Sequence, residues 1–418
     1  MKRDGRMINR GLCIRKKSII AFVVAVFITT NYMYHIVNPA IYLIAVILLL
    51  YGIKPGRMNF TTQSLLMMPF VICITIGSLL TPAGNSGRVY MITTWFLLIM
   101  LLRSNVECSW IEYLPKHLMF LTGIQALFVL LYPFIPSFVQ SVAKVVLSPK
   151  SYATNAFQWN RYHIDCGITG LQSLAAFYVT TFLAVVCAKY FNAEKTDKKR
   201  KFVLVIYILA FIALLYTSKR GAMLANVAAL LAIPLLLDKK ISKKIQYLLI
   251  LGIVAVIGYG FLSQYFPQAI RIFTRFQTQE DISTGRFDIY QQLLSNVKND
   301  WLIGKGNLSA ALILDGNYGH NIYIQLFYEN GILGCISFII FSIYTFVKTV
   351  LNYRSAKEEK TKNYLLISFY FQIYFLFYGL FGNPLFDYSI FFTYICMVIM
   401  GVYGEKMLIK EKMEKDTI

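Results

Sequence analysis

His320 stands at the start of an apolar stretch, after the small and polar run Gly316-Asn317-Tyr318-Gly319 and before Asn321. An imidazole can take a proton near neutral pH, so His320 is a candidate general base at the mouth of whatever bundle that stretch enters. Two arginines occupy turns suited to an anion. Arg220 lies in Thr217-Ser218-Lys219-Arg220-Gly221, a tight turn that places two adjacent cations. Arg286 lies in Ser283-Thr284-Gly285-Arg286-Phe287, where a turn opening a short helix offers free backbone N–H groups. A planar guanidinium makes paired hydrogen bonds to phosphate, so both positions suit a phosphorylated ligand. Plainer uses exist beside these: Lys219 and Arg220 can snorkel to lipid phosphate, and His320 can cap a helix.

Other polar residues form a second tier. Arg271 and Arg275 are four apart and would share one helical face. Arg161 lies in Arg161-Tyr162-His163-Ile164-Asp165. Glu329 falls about two and a half turns below His320, and an ionisable group at that depth is expected to face the protein interior. Gly331 and Gly334 follow it and permit close helix approach. Asp387 reads as a turn residue after Pro384. His163, Asp165 and Cys166 are too few and too crowded for zinc. No metal site is expected, and the seven scattered cysteines imply no disulfide.

The elements that must carry these residues follow from composition. Of 418 residues, 57% are hydrophobic and 15% charged, against about 25% charged in soluble domains. Mean hydropathy is +0.57. These values exclude a soluble enzyme and a secreted disulfide scaffold. The net charge of +21 is not gathered on a polar domain, so nucleic acid is not an expected partner. The fold class is an all-α polytopic membrane protein. Apolar runs that could span a bilayer occur at 18–34, 36–53, 64–81, 88–103, 115–133, 167–188, 202–217, 221–237, 245–262, 320–347, 364–382 and 388–404. They are continuous, not alternating, which argues against a barrel. A cleaved signal peptide is not expected either, since the first run lacks a small-residue cleavage site and a second follows at once.

With both termini in the cytoplasm, 30 of the 41 Lys and Arg residues fall on inside segments. The other 11, Lys219, Arg220 and Arg286 among them, fall outside. The expected organisation is a basic N-terminus over 1–17, helices 1–9 over 18–262, an extracytoplasmic cap over 263–319, helices 10–12 over 320–404 and a cytoplasmic C-terminus over 405–418. Within the cap, 287–294 reads as a short amphipathic helix. A second long outer connection covers 134–166.

The motifs then meet a family. His320-Asn321, nine residues, Gly331, two residues and Gly334 resemble the H-[NSQ]-x9-G-x-x-[GTY] pattern of the O-antigen ligase/polymerase family. The Thr217–Gly221 turn is similar to that family's Ser-x-Ser-Arg turn, with Thr217 in place of the first Ser. Gly285-Arg286, upstream of Gly304 and Gly306, is similar to its second arginine. The chain resembles Wzy-type polysaccharide polymerases most. The resemblance implies a GT-C-like, metal-independent inverting glycosyltransferase of the bacterial cytoplasmic membrane, with no cofactor. Its donor would be a glycan on undecaprenyl diphosphate. Arg220 and Arg286 would stabilise the leaving diphosphate, and His320 would position or deprotonate the acceptor hydroxyl. Arg161, Arg271, Arg275, Lys219, Asn321 and Glu329 would help bind substrate. Membrane lipids, a chain-length regulator and a flippase are the implied partners.

Three functions compete. A polymerase adds the chain to another lipid-linked repeat, to make O-antigen, capsular polysaccharide or exopolysaccharide. A ligase transfers it to lipid A-core. The richness in Lys, Ile and Tyr points to an AT-rich genome and favours the polymerase. A flippase is the reading from another class, but transporters place key polar residues near the midplane and often show repeats. Here the candidates gather at the outer surface, and no repeat is visible.

Overall fold

The computed structural model describes residues 17–29, 60–194, 196–237, 241–265 and 285–416. Regular structure among them is helical throughout. The helices are α1 (Lys17–Thr29), α2 (Thr62–Leu80), α3 (Asn85–Glu107), α4 (Leu114–Leu131), α5 (Pro136–Val146), α6 (Pro149–Tyr162), α7 (Gln172–Asn192), α8 (Lys199–Tyr216), α9 (Arg220–Ala232), α10 (Ile241–Tyr265), α11 (Arg286–Asn296), α12 (Ala310–Ile313), α13 (Ile322–Ser355), α14 (Glu359–Tyr378) and α15 (Tyr388–Asp416). The expected span at 36–53 and the first part of the expected cap lie outside the described residues.

Eight of these helices are long and apolar enough to cross a membrane: α2, α3, α4, α7, α9 with its π-helical continuation to Leu237, α10, α13 and α15. The chain is a multi-pass membrane protein. The apolar runs at 202–217 and 364–382 are also helices, α8 and α14, but both open on charged first turns. Helices α7 and α14 bury residues on every face, as helices apolar all round do at the centre of a bundle. They pack on each other, with α4 and α8 against α7 and with α9 and α15 against α14. Helix α13 packs along α2 and α14. Helix α10 turns its apolar surface outward.

The 134–166 connection is not a bare loop. It folds as α5 and α6, each begun by a proline in its first turn, where the missing N–H costs nothing.

One interruption organises the region around His320. Helix α13 is broken at Gly331, whose φ of 64° and ψ of −171° are not helical. The break frees backbone groups that must find partners, and the segment Trp301–Leu308 supplies them. Lys305 N–H donates to the Tyr328 carbonyl at 2.9 Å, and Gly306 N–H to that of Glu329 at 2.8 Å. Below the break, Ile332 N–H donates to the Trp301 carbonyl at 2.8 Å. The fit leaves no room for a side chain. A Cβ on Gly331 would lie 2.2 Å from the Leu302 carbonyl oxygen, and one on Gly304 would lie 2.4 Å from the Glu329 carbonyl carbon. Gly331 is thus the site of the break as well as a small residue. Gly334 keeps the expected role, since a Cβ there would lie 3.5 Å from that of Cys73 on α2.

Candidate active site

The α8–α9 turn is held from within. Thr217 Oγ1 donates to the Leu214 carbonyl at 2.6 Å. Ser218 takes a left-handed φ of 52°, which reverses the chain so that α9 begins at Arg220. Gly221 then sits against the end of α14, because a Cβ there would meet that of Phe381 at 2.9 Å. Asp165 N–H braces the same turn by donating to the Tyr216 carbonyl at 3.3 Å.

Helix α11 begins where Gly285 adopts φ 78°. The amphipathic helix expected at 287–294 therefore runs over Arg286–Asn296, and Arg286 is its first residue. Its apolar side, Leu293 and Val297 with partly buried Ile289, packs on Ala310, Leu314 and Tyr328. That small core docks α11 and α12 on the first segment of α13. One turn after Arg286, Tyr290 Oη donates to the backbone carbonyl of His320 at 3.3 Å.

His320 is half-buried and has a left-handed φ of 53°, a backbone state that non-glycine residues seldom occupy and that collects at functional sites. Its neighbours hold it there. Gly319 N–H donates to Gln325 Oε1 at 2.8 Å, and Ile322 N–H to the Gly379 carbonyl at 2.8 Å. Asn321 is the N-cap of α13, its Oδ1 accepting from Tyr323 N–H at 3.0 Å and Ile324 N–H at 3.2 Å. On the imidazole, Nδ1 lies 3.4 Å from Nδ2 of Asn383, in the α14–α15 connection.

The electrostatics tie the three segments together. Burial, then the charges of Arg286 and Lys219, push His320 down to about 4, so its imidazole is neutral at pH 7. Burial, then Arg286 and Arg220, push Lys219 down to about 8. The four groups share one field. None of the ion pairs among the described residues involves Lys219 or Arg286. A cluster of cations around a neutral imidazole is arranged to receive an anion and to take a proton beside it.

The remaining sequence candidates have the following surroundings. Glu329 is fully buried in the α13 break, where Oε2 accepts from Leu308 N–H at 2.8 Å and Oε1 from Gln325 Nε2 at 2.8 Å. Arg161 is exposed, with its guanidinium 5.7 Å from the ring centres of Phe157 and Tyr162 on its own helix. Arg271 and Arg275 lie outside the described residues. Asp387 caps α15, its Oδ1 accepting from Ser389 N–H at 3.0 Å and Ile390 N–H at 3.2 Å, and burial pushes its carboxyl up. Among the described residues no group of three or more His, Cys, Asp or Glu side chains could hold a metal ion.

Two residues of the site carried weaker signals in the sequence. Tyr290 is four residues after Arg286, so both fall on one face of an amphipathic helix. Asn383 belongs to a Gly-Asn-Pro turn, a common structural motif that does not announce a partner.

Comparison with known families bears on this same stretch. Residues 205–339 match the family model described as O-antigen ligase. This part of the chain is similar to the O-antigen ligase family. The match runs from α8 through the Lys219–Arg220 turn, α11 and His320 to beyond the Gly331 break, and so contains all four groups of the cluster. Asn383 lies past its end. No curated protein matches the chain.

Proposed function

We propose that the cluster transfers a glycan from a polyprenyl diphosphate donor to a sugar hydroxyl, at the outer face of the bacterial cytoplasmic membrane. The observation that carries this reading is the field that joins Lys219 and Arg286 to a neutral His320, and Arg220 to Lys219. Diphosphate is the leaving group whose charge such a site fits. As the anomeric C–O bond breaks, its electron pair passes to the diphosphate oxygen, and preorganised cations stabilise that charge as it grows. The acceptor hydroxyl attacks the opposite face of the anomeric carbon, and its proton goes to His320. The product is inverted at that carbon.

Among acceptors, a second lipid-linked repeat is our reading, which makes the protein a polymerase that works with a flippase and a chain-length regulator. The Lys-, Ile- and Tyr-rich composition supports this choice. The test is a strain lacking the protein, probed for lipid-linked intermediates. A polymerase leaves single repeats on the outer leaflet. Long lipid-linked chains with no attachment to lipid A-core would assign a ligase, and repeats retained on the inner leaflet would assign a flippase.

A further inference from the structure

We infer that Asn383 is a positioning residue for the base: its Oδ1 accepts from His320 Nδ1–H, which fixes the tautomer that leaves Nε2 free to take the acceptor's proton. This rests on the reading of His320 as that base.

The imidazole has two nitrogens, and in the neutral ring one donates while the other accepts. The group facing one nitrogen therefore decides what the other can do. Asn383 faces Nδ1 at 3.4 Å. A carboxamide presents either N–H or C=O on that side, and a half-turn exchanges the two without altering its shape. If Nδ2 donates to Nδ1, the proton of the ring sits on Nε2. The ring then has no free lone pair with which to act as a base. If Oδ1 faces the ring, that acceptor takes the Nδ1 proton and Nε2 presents its lone pair. The imidazolium formed during transfer then keeps its hydrogen bond to a carbonyl dipole. A separation of 3.4 Å is long for such a bond, but catalytic hydrogen bonds are often long before substrate binds and tighten in the complex.

The placement of Asn383 supports a positioning role. Gly379, four residues earlier, accepts from Ile322 N–H, which fixes the α14 end against the start of α13. Asn383 accepts at its own backbone carbonyl from Phe386 N–H at 3.1 Å and Asp387 N–H at 3.2 Å, which makes the turn rigid. The side chain therefore meets the imidazole from a fixed frame.

The test uses full-length protein in lipid nanodiscs, labelled with 15N-histidine. The chain has four histidines, so a His320→Asn difference spectrum assigns this one. The expected result is the Nδ1–H tautomer in the wild type. Asn383→Leu should mix the tautomers and lower kcat about 10- to 100-fold, with KM for a lipid-linked donor little changed. Asn383→Asp keeps the acceptor, should recover kcat, and should move the acid limb of kcat/KM to higher pH because a carboxylate favours the charged ring. A wild-type Nε2–H tautomer, or full kcat in Asn383→Leu, would overturn the inference. The spectrum of the wild type decides even if the leucine variant fails to insert. His320→Ala separates the two levels: if it transfers glycan normally, the base reading itself is wrong, and if it is inactive while Asn383→Leu is not, only the role of Asn383 is.

Discussion

Tyr290 Oη and the His320 carbonyl are joined by a 3.3 Å hydrogen bond, and Tyr290 stands one helical turn from Arg286. One face of α11 therefore carries both Arg286 and the strut to the strained backbone of His320. If α11 shifted, both would move together. Tyr290→Phe should remove only that strut. The loss of about 1 kcal/mol predicts a kcat lowered about fivefold and a nearly unchanged melting temperature. Single-turnover transfer rates would check it, and an unaltered kcat would show that the strut is dispensable.

Arg220→Ala and Arg286→Ala should each lower kcat about 10²- to 10³-fold, the cost of removing one preorganised group from a developing anion. Lysine at either position should recover only part of the activity, because a point charge lacks the guanidinium's paired donors. Membrane insertion measured in parallel separates this from misfolding. Activity within a few-fold of the wild type would place the diphosphate elsewhere.

The pH dependence has two limbs with different owners. Lys219 is held down to about 8, so its charge is lost as pH rises through that value and affinity for the diphosphate donor should fall there. Lys219→Arg should abolish that alkaline rise in KM. His320 is held down to about 4 in the free protein, so its basic form persists well below pH 6 and kcat/KM should stay level until pH approaches 4. Bound diphosphate offsets Arg286 and Lys219, raises His320, and should move the acid limb of kcat to higher pH than that of kcat/KM. Coincident acid limbs near 6.5 would contradict the shared field.

The broken helix should be a structural requirement. Gly331→Ala places a methyl 2.2 Å from the Leu302 carbonyl oxygen in a left-handed residue, and should expose the 298–310 segment to protease and lower the melting temperature. Glu329→Leu leaves Leu308 N–H and the Gln325 amide without their acceptors, a loss of about 1–3 kcal/mol for each group left unpaired. Glu329→Gln keeps one acceptor oxygen and leaves the other donor unpaired, so it should lower stability by about 1–3 kcal/mol and keep transfer close to wild type. A Glu329→Gln protein that is folded but inactive would mean that this carboxylate acts on substrate.

Much of this site was legible because its parts are local in sequence. The Thr217–Gly221 turn interrupts an apolar run, Gly285-Arg286 opens an amphipathic stretch, and His320-Asn321 begins another. What periodicity does not register is a pairing across distance. The apolar pattern continues through Ile332 and Leu333, so α13 reads as unbroken although Gly331 breaks it. Glu329 meets Leu308 across 21 residues and His320 meets Asn383 across 63, and neither separation leaves a mark on local composition. Asn321, read as a ligand from its place beside His320, also caps α13 through its Oδ1, a role its neighbour does not announce.

The most direct measurement is glycan transfer by the purified protein in nanodiscs, given a polyprenyl diphosphate-linked repeat, with elongated product and released polyprenyl diphosphate followed together. The account predicts equal release and elongation in the wild type, and loss of both in His320→Ala and Arg286→Ala proteins that remain folded. Undiminished elongation in those two variants would contradict it.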